Sequence, residues 1–323
     1  MSLAKKAYNF LRRIKRKYCK PRVMRRLVSE GKAPTRSRIL SENGTALPAV
    51  YRISASQGLD GTMQDLERLF RERFSKKIAH RKILVKFNLN TANSYPASVC
   101  PQMLRSLVEI LLNLDAREVT VGDCCNVRLL PTRKQVKKAG LEQALAGRAR
   151  IVCFDETPWM TVMVPGCYLT HITVPRPALD AECIIALANL KTHRQAVYTG
   201  ALKLAVGFMH PLERFPLHRE YLQEKVAEIN LALQPDLFVM DGRTAMITGG
   251  PDHGLTAPGN TLLVGENPVA VDAEAYRLLY SLKKKNNCLE EFTENPFDLL
   301  QLSHALEMGI GGSPWNGCRI LDW

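Results

Sequence analysis

The segment "ECIIALANLKTH", residues 182–193, gives the strongest structural signal in the chain. Its apolar run over residues 184–190 stops abruptly at Lys191, Thr192 and His193. A short apolar run without polar alternation is typical of a strand that is buried on both faces, as in the middle of a parallel sheet. The segment therefore predicts a central strand with charged and hydrogen-bonding side chains at its carboxyl end.

Similar apolar runs alternate with helical patterns along most of the chain. Further strands are predicted over residues 82–87, 118–123, 149–154, 235–242 and 260–268. Helices are predicted to begin near Pro101, Arg133, Leu222 and Pro268. A β-rich excursion near residues 158–176 interrupts this alternation. Alternating strands and helices are typical of an α/β domain, here with a mostly parallel sheet flanked by helices.

Positive charge is concentrated at the start of the chain. The 323 residues carry a formal net charge of +14, and residues 1–38 hold fourteen lysines and arginines against one glutamate. Apolar residues recur at helical spacing within this segment, which predicts a basic amphipathic helical extension whose second, short helix ends at Gly31. Residues 48–312 are then predicted to form a single, nearly neutral α/β domain, followed by a tail over residues 313–323.

The sequence leaves several roles open for this basic extension. A basic amphipathic helix can bind an anionic membrane surface or a partner protein, such as a redox partner. It can also dock its apolar face on the α/β body. Nucleic acid is the least favoured partner, because the body is neutral and the extension shows no base-reading module.

Nothing in the sequence indicates export or a membrane span. No apolar run reaches the roughly 18 residues that a transmembrane helix requires, and the amino terminus lacks the apolar core of a secretory signal. The nine cysteines are scattered without a CxxC pair, which favours reduced thiols. The prediction is a cytoplasmic protein, with peripheral attachment at the inner membrane surface as an alternative.

Polar side chains follow four of the predicted strands. In open α/β sheets, ligands bind beyond the carboxyl ends of the strands. The side chains that follow the four strands are Lys86 and Asn88, then Asp123, then Lys191, Thr192 and His193, and finally Asp241 and Arg243. We therefore expect these side chains to line one shared cleft.

The predicted ligand of that cleft is a small anion. The lysines above, together with Lys203, have no obvious acidic partner for each of them, which suits a carboxylate or a phosphate. Two glycine-bearing segments, with Thr199 and Gly200 in "YTGALK" and Gly249 and Gly250 in "TGGPDHG", are candidates to present backbone N–H groups to the anion. Neither segment matches a nucleotide-binding fingerprint, so no nucleotide cofactor is predicted.

Proton transfer and metal binding are the two kinds of chemistry that these residue types allow. His193, with Asp123 or Asp241, is the candidate for proton transfer, because imidazole titrates near neutral pH and neighbours tune carboxylates. The question of a metal ion stays open. Its candidate ligands are His193, His210, His218 and Cys124, although their spacing matches no known zinc motif. The adjacent Cys124 and Cys125 are either a redox pair or two buried thiols.

With these motifs the chain resembles the bacterial and archaeal family of domain of unknown function 362, over roughly residues 48–312. The resemblance rests on "VKFNLN", "VGDC", "LKTHRQAVYTGALK", "MDGRTAMITGGPDHG", "NPVAVDAEAYRLL" and "ALEMGIGG". It implies an α/β fold and an enzyme whose reaction the family does not define. Relatives that carry a ferredoxin-like iron–sulfur segment imply redox chemistry, but that motif is absent here. Phe87, Asn189 and Leu204 depart from the family pattern, and Leu204 replaces a hydrogen-bonding asparagine.

Two functions are consistent with these observations. In the first, the protein is an enzyme that acts on a small anionic substrate, and the resemblance implies oxidoreductase or metal-assisted chemistry. In the second, it is a non-catalytic ligand-binding adaptor, held on an anionic membrane or a partner by its basic helix. Converging lysines and histidines in one cleft would favour the enzyme.

Overall fold

The computed structural model describes residues 29–33, 47–290, 292–312 and 315–323. The basic extension predicted over residues 1–38 lies outside these residues except for Ser29–Ala33. Those five residues form a strand that pairs in parallel with residues 159–163, whereas the sequence predicted a short helix ending at Gly31. Strand pairing satisfies the backbone there, while an isolated helix of a few residues is unstable in water.

The strands of the described residues belong to a large sheet and a small one. They are β1 (Ser29–Ala33), β2 (Ala49–Ser54), β3 (Lys82–Lys86), β4 (Glu118–Asp123), β5 (Arg150–Cys153), β6 (Trp159–Met163), β7 (His171–Pro175), β8 (Cys183–His193), β9 (Val197–Thr199), β10 (Leu237–Met246), β11 (Thr256–Gly265) and β12 (Arg319–Asp322). The large sheet has the order β12–β2–β11–β10–β8–β3–β4–β5, with β9 paired to β8. The small sheet has the order β1–β6–β7 and contains the β-rich excursion that the sequence predicted.

The α-helices connect these strands. They are α1 (Gly58–Leu69), α2 (Ser75–Ile78), α3 (Pro101–Asn113), α4 (Thr132–Lys138), α5 (Leu141–Leu145), α6 (Arg176–Asp180), α7 (Ala201–Leu204), α8 (Arg214–Leu217), α9 (Leu222–Ala232), α10 (Pro268–Lys285) and α11 (Leu300–Glu307). Proline at the first helical position starts both α3 and α10, where its missing N–H costs no hydrogen bond. Within the described residues, no helix is both long and apolar enough to cross a membrane.

The strand order reverses in the middle of the large sheet. From β10 through β8, β3 and β4 to β5, neighbouring strands are parallel, and β11 is antiparallel to β10 and β2. The chain runs outward from β3 to β5 on one side, and later from β8 to β10 on the other. The prediction of an α/β fold with a mostly parallel sheet is confirmed, and the reversal between β3 and β8 is where such sheets bind ligands.

Strand β8 separates two hydrophobic clusters. Successive side chains of a strand point to opposite faces, so Ile184 and Ala186 pack on the face covered by α9 and α10. Ile185 and Leu187 pack on the other face, with residues of α1 and α3. Burial on both faces explains why this strand has no polar alternation in its first eight residues.

The carboxyl end of β8 extends beyond the predicted apolar run. Lys191, Thr192 and His193 continue the strand, because they pair antiparallel with β9, in which Thr199 lies opposite Lys191 and Val197 lies opposite His193. The three polar residues are therefore held rigidly by backbone pairing instead of lying in a loop.

Candidate functional site

A cavity of about 640 Å³ opens at the carboxyl ends of β3, β4 and β8. Its volume lies in the range of about 300–1,000 Å³ that is typical of small-molecule sites. Six cationic side chains and two carboxylates line it: Lys86, Arg128, Lys191, Arg194, Lys203 and Arg214, against Asp123 and Asp252. A cleft lined mostly by one sign of charge attracts ligands of the opposite sign, so the wall favours an anion.

The structure brings together about half of the residues that the sequence singled out. Those lining the cavity are Lys86, Asn88, Asp123, Cys124, Lys191, His193, Thr199, Lys203 and His218. The wall that the described residues form does not include Thr192, Gly200, His210, Asp241, Arg243, Gly249 or Gly250.

Lys86 and Asp123 form a buried ion pair in the cavity wall. The distance from Lys86 Nζ to Asp123 Oδ1 is 2.8 Å, and Nζ also donates to the carbonyl of Phe87. Asp123 accepts hydrogen bonds from the backbone N–H groups of Leu89 and Cys124. Burial lowers the pKa of Lys86, and the charge of Asp123 opposes that shift. Each charge is therefore compensated within the fold. The pair also joins the end of β3 to the end of β4.

Gly207 lets the chain pass directly over this pair. It belongs to a 3₁₀ turn over Ala205–Phe208 that follows α7. A Cβ atom at residue 207 would lie 2.6 Å from Asp123 Oδ1 and would also clash with Nζ of Lys86. A larger residue at position 207 would have to displace the side chains of Lys86 and Asp123, so glycine suits this turn.

Lys191 ties two loops together from the end of β8. Its Nζ donates to the carbonyl of Ala97, at 2.5 Å, and to that of Pro251, at 3.2 Å. Burial lowers the pKa of Lys191 to about 7; the charge of Asp252 opposes the shift and that of Lys203 adds to it. The Lys191 ammonium is thus hydrogen-bonded to neutral carbonyls only. Asn88 donates to the same carbonyl of Ala97.

His193 is held in one tautomer by its own loop. Its Nδ1 accepts hydrogen bonds from the backbone N–H groups of Gln195 and Ala196, each at 3.1 Å. A nitrogen that accepts N–H groups carries no proton, so the neutral ring has its proton on Nε2. Burial, followed by the charges of Lys203, His218 and other neighbours, lowers the pKa of His193 to about 2. His193 is therefore a neutral hydrogen-bond donor, and the expected titration near neutral pH does not fit its surroundings.

Lys203 differs from the other two cavity lysines. Among the residues that the structure describes, no hydrogen bond or ion pair engages its ammonium group. Burial, followed by the charge of Arg214, lowers the pKa of Lys203 to about 8. The nearby Thr199 hydroxyl oxygen is buried and also lacks a hydrogen-bond partner in the described part of the chain. Both groups are free to contact a ligand.

Arg214 and His218 complete the wall on the side of α8. The Arg214 guanidinium donates to four backbone carbonyls, those of Cys124, Cys125, Gly207 and Met209. Arg214 therefore holds the loops around the cavity, and none of these four hydrogen bonds is to a carboxylate. The sequence analysis did not identify Arg214, since no local pattern marks an arginine that satisfies carbonyls so far away in the chain.

His218 is fixed in the tautomer opposite to that of His193. Its Nδ1 lies 2.6 Å from the carbonyl oxygen of Arg214, and because a carbonyl can only accept, Nδ1 carries the proton. The free nitrogen of the neutral ring is then an unprotonated Nε2. Burial lowers the pKa of His218; the bond to Arg214 opposes this, and the charge of Lys203 adds to it. The cavity thus has one imidazole N–H donor and one imidazole acceptor.

Asp241 and Arg243 do not belong to this cavity, contrary to the sequence prediction. The Asp241 carboxylate accepts from Nε and Nη2 of Arg243, at 2.9 and 2.7 Å, and from the hydroxyl of Tyr95 at 2.8 Å. The Arg243 guanidinium also lies over the ring of Tyr95. The two charges neutralise each other within the fold, so neither is available to a ligand.

The backbone N–H groups next to Gly200 are not available for an anion. They start α7, and the buried carboxylate of Asp272 accepts from the N–H groups of Ala201 and Leu202, at 2.6 and 3.0 Å, and from the hydroxyl of Tyr198. Burial raises the pKa of Asp272 to about 6. An internal carboxylate therefore takes the place that the sequence assigned to a ligand.

The "TGGPDHG" segment is a tight turn. Gly249 and Gly250 both have positive φ, and the N–H of Gly250 donates to the carbonyl of His253. Gly250 packs so closely on the backbone of Thr192 that a Cβ would clash with it. The predicted role of these glycines in anion binding is therefore wrong for Gly250. The backbone of Thr192, near the carboxyl end of β8, packs against the turn at Gly250.

The candidate metal ligands do not assemble. Within the described ranges, no group of three or more histidines, cysteines, aspartates and glutamates is placed to hold a metal ion. His210 packs edge-on against Trp159, with ring centroids 4.9 Å apart, away from the cavity. Burial raises the pKa of both Cys124 and Cys125, to about 12 for Cys125, so both are unreactive thiols near neutral pH.

These features define an α/β protein with a cation-lined cavity at the point where the strand order reverses. The chain belongs to the family described as Domain of unknown function (DUF362), which matches residues 83–277. That match runs from β3 into α10 and includes every residue of the cavity wall.

Three proteins show how far the similarity extends. The thylakoid-associated protein of Synechocystis sp. is 31% identical over 90 residues, which are 26% of this chain and 28% of that protein. The lactate racemase apoprotein of Thermoanaerobacterium thermosaccharolyticum is 13% identical with a TM-score of 0.36, covering 64% of this chain and 52% of that one. A Thermotoga maritima protein is 11% identical with a TM-score of 0.41, covering 71% and 59%. The chain thus spans about half the length of the first of these structures and under a third of the curated relative.

Proposed function

We propose that the protein is an enzyme that binds a small anionic substrate, a carboxylate or a phosphate, in the strand-end cavity. The observation that carries this proposal is the ammonium group of Lys203, which has no partner among the described residues and lies in a wall with six cations and two carboxylates. Lys203 is half-buried, and a charge that is partly withdrawn from water without a partner is costly, so an anionic ligand would compensate it. Lys86 and Lys191 shape the wall, because their own contacts already occupy them.

The two histidines supply the acid–base chemistry. Nε2 of His218 is the proton acceptor, and the Nε2–H group of His193 donates a hydrogen bond to an oxygen that gains negative charge. These roles follow from the opposite tautomers that the backbone imposes, and a neutral base is suited to work near neutral pH. Asp241, which the sequence analysis named for proton transfer, has no part in this proposal.

The family resemblance implies redox or metal-assisted chemistry, but no step proposed here requires either. Within the described residues, no group of three or more histidines, cysteines, aspartates and glutamates is placed to hold a metal ion. The proposed steps therefore use only the side chains of the wall.

Binding of simple anions tests the site. Isothermal titration calorimetry with inorganic phosphate and with acetate should show binding to the full-length protein. Lys203→Met should weaken it by about tenfold or more, because a hydrogen bond to a charged group contributes about 1.5–3 kcal/mol. Lys137→Met, which removes an exposed lysine of α4, is the matched control. Equal affinities for the two variants, or no binding of either anion, would refute the proposal.

Turnover separates an enzyme from a binding protein. Proton NMR of small carboxylates and phosphates in D₂O should show loss or exchange of signals with the native protein. His218→Asn should abolish this change while it retains anion binding. Anion binding without any turnover in a broad set of such compounds would favour the non-catalytic adaptor.

Attachment to an anionic membrane surface is a second candidate function, for residues 1–38. It is supported by the fourteen basic residues of this segment and by a relative that is named thylakoid-associated. Vesicles with acidic lipid should bring the full-length protein into the pellet, and binding should weaken with salt, since each basic residue near the surface contributes about 1 kcal/mol. A chain without residues 1–20 that pellets equally well would refute this role.

A further inference from the structure

We propose that Lys203 is a nucleophile that forms an imine with a substrate carrying a carbonyl group next to an anionic group. The inference rests on the proposed function and goes further, because it names the substrate class of the cavity and a covalent step. It follows from the different surroundings of the three cavity lysines.

Within the part of the chain that the structure describes, only one of these three lysines has an amine without a hydrogen-bond or ion-pair partner. Nζ of Lys86 is 2.8 Å from Asp123, and Nζ of Lys191 donates to two backbone carbonyls. Both are therefore held by internal acceptors. Lys203 has neither kind of contact in the described residues and lines the cavity beside the unpartnered hydroxyl of Thr199.

The surroundings of Lys203 increase the fraction of the neutral amine, which is the nucleophilic form. Its pKa falls to about 8, through burial first and the charge of Arg214 second. The other titratable groups near it are Lys191, His193 and His218, whose pKa values the charge of Lys203 affects in turn. A lysine that is desolvated beside another cation is a known form of activated nucleophile.

The neighbouring imidazoles match the proton steps of imine formation. The lone pair of Nζ attacks the carbonyl carbon, a C–N bond forms, and the carbonyl oxygen takes up the π electrons while His193 donates a hydrogen bond to it. Nε2 of His218 accepts one proton from the new ammonium group and passes it to the oxygen, which gives a carbinolamine. A second transfer by the same route moves the remaining N–H proton to the hydroxyl group, which leaves as water when the C=N bond forms. The balance is one amine and one carbonyl giving one imine and one water, with no oxidant or reductant.

The remaining cations of the wall specify the second group of the substrate. Arg128, Arg194 and Arg214 lie in the same cavity and favour an anionic group next to the carbonyl. A 2-oxo carboxylate and a phosphorylated ketone share this chemistry. Pyruvate and dihydroxyacetone phosphate are therefore the two probes.

Reductive trapping tests the imine directly. The full-length protein is incubated with each probe and sodium cyanoborohydride, and the adduct is located by peptide mass spectrometry. We expect one adduct, on Lys203, whose mass identifies the probe that reacts. Lys203→Arg keeps a cation at this position but has no nucleophilic amine, so it should lose the adduct. Lys137→Met is the control and should be labelled like the native protein.

The outcomes separate this inference from the proposed function. An adduct on Lys86, on Lys191 or on surface lysines alone, or equal labelling of Lys203→Arg, would overturn the nucleophile. The absence of any adduct together with normal anion binding would also overturn it and would leave the anion site standing. If the native protein forms no adduct and binds neither anion, both the nucleophile and the proposed anion site are refuted.

Discussion

Removing one partner of the buried pair Lys86–Asp123 should destabilise the fold strongly. Their side chains are 1% and 4% exposed and 2.8 Å apart, so Asp123→Asn leaves a buried ammonium and Lys86→Met leaves a buried carboxylate. Breaking a buried pair in this way costs about 3–5 kcal/mol. Domains unfold with a free energy of about 5–15 kcal/mol, so each single variant should lose a large part of its stability.

A double-mutant cycle measures how far the two charges depend on each other. Lys86→Met with Asp123→Asn removes both charges, so its cost should be lower than the sum of the single costs by a few kcal/mol. Urea unfolding followed by circular dichroism gives each free energy. Lys77→Met is the matched control, because Lys77 and Glu266 form an exposed pair, 35% and 46% accessible, which is worth about 0–1 kcal/mol. Single variants that cost no more than this control, or costs that simply add, would refute the reasoning.

Three further predictions concern the cavity wall. Gly207→Ala places a methyl group 2.6 Å from Asp123 and should lower the free energy of unfolding by about 1–3 kcal/mol, measured in urea. Anion binding should be accompanied by proton uptake and should weaken as the pH rises from 7 to 8. The reason is that Lys191 and Lys203, with pKa values of about 7 and 8, lose their charge in this range. Calorimetry in two buffers of different ionisation enthalpy detects the proton uptake. His193→Ala leaves two backbone N–H groups without their acceptor and should lower the free energy of unfolding by about 1–3 kcal/mol, measured in urea. His193→Asn should lower this free energy less, because its side-chain oxygen can accept one of these N–H groups.

The sequence predicted the position of the cavity because strand ends are a local property. An apolar run ends where a strand leaves the hydrophobic core, even though Lys86, Asp123 and Lys191 beyond it are still buried. The ends of β3, β4 and β8 meet because parallel neighbours point in one direction. Lys86, Asp123, Lys191 and His193 lie together for that reason. Nothing beyond the period of the apolar residues and the rule for open sheets was needed.

The same rule failed at β10, because the local sequence does not show whether a charged side chain is already paired within the fold. Asp241 lies in register with Asn189 of β8, but β10 continues beyond it to Met246, and Arg243 and Tyr95 take up its carboxylate. Tyr95 is 146 residues away in the chain, and no spacing in the sequence indicates this contact. The N–H groups after Gly200 were misjudged for the same physical reason, since their acceptor, Asp272, comes 70 residues or more later.

The three lysines of the wall show that burial and residue type together do not define a functional group. All three lie in one cavity, and burial lowers the pKa of each. What differs is the acceptor within reach: a carboxylate for Lys86, two carbonyls for Lys191, and none in the described residues for Lys203. A cation whose acceptor is part of the fold stabilises the fold, while a cation without one gains most from a ligand. Lys203→Met should therefore affect ligand binding more than stability, and Lys86→Met should do the reverse.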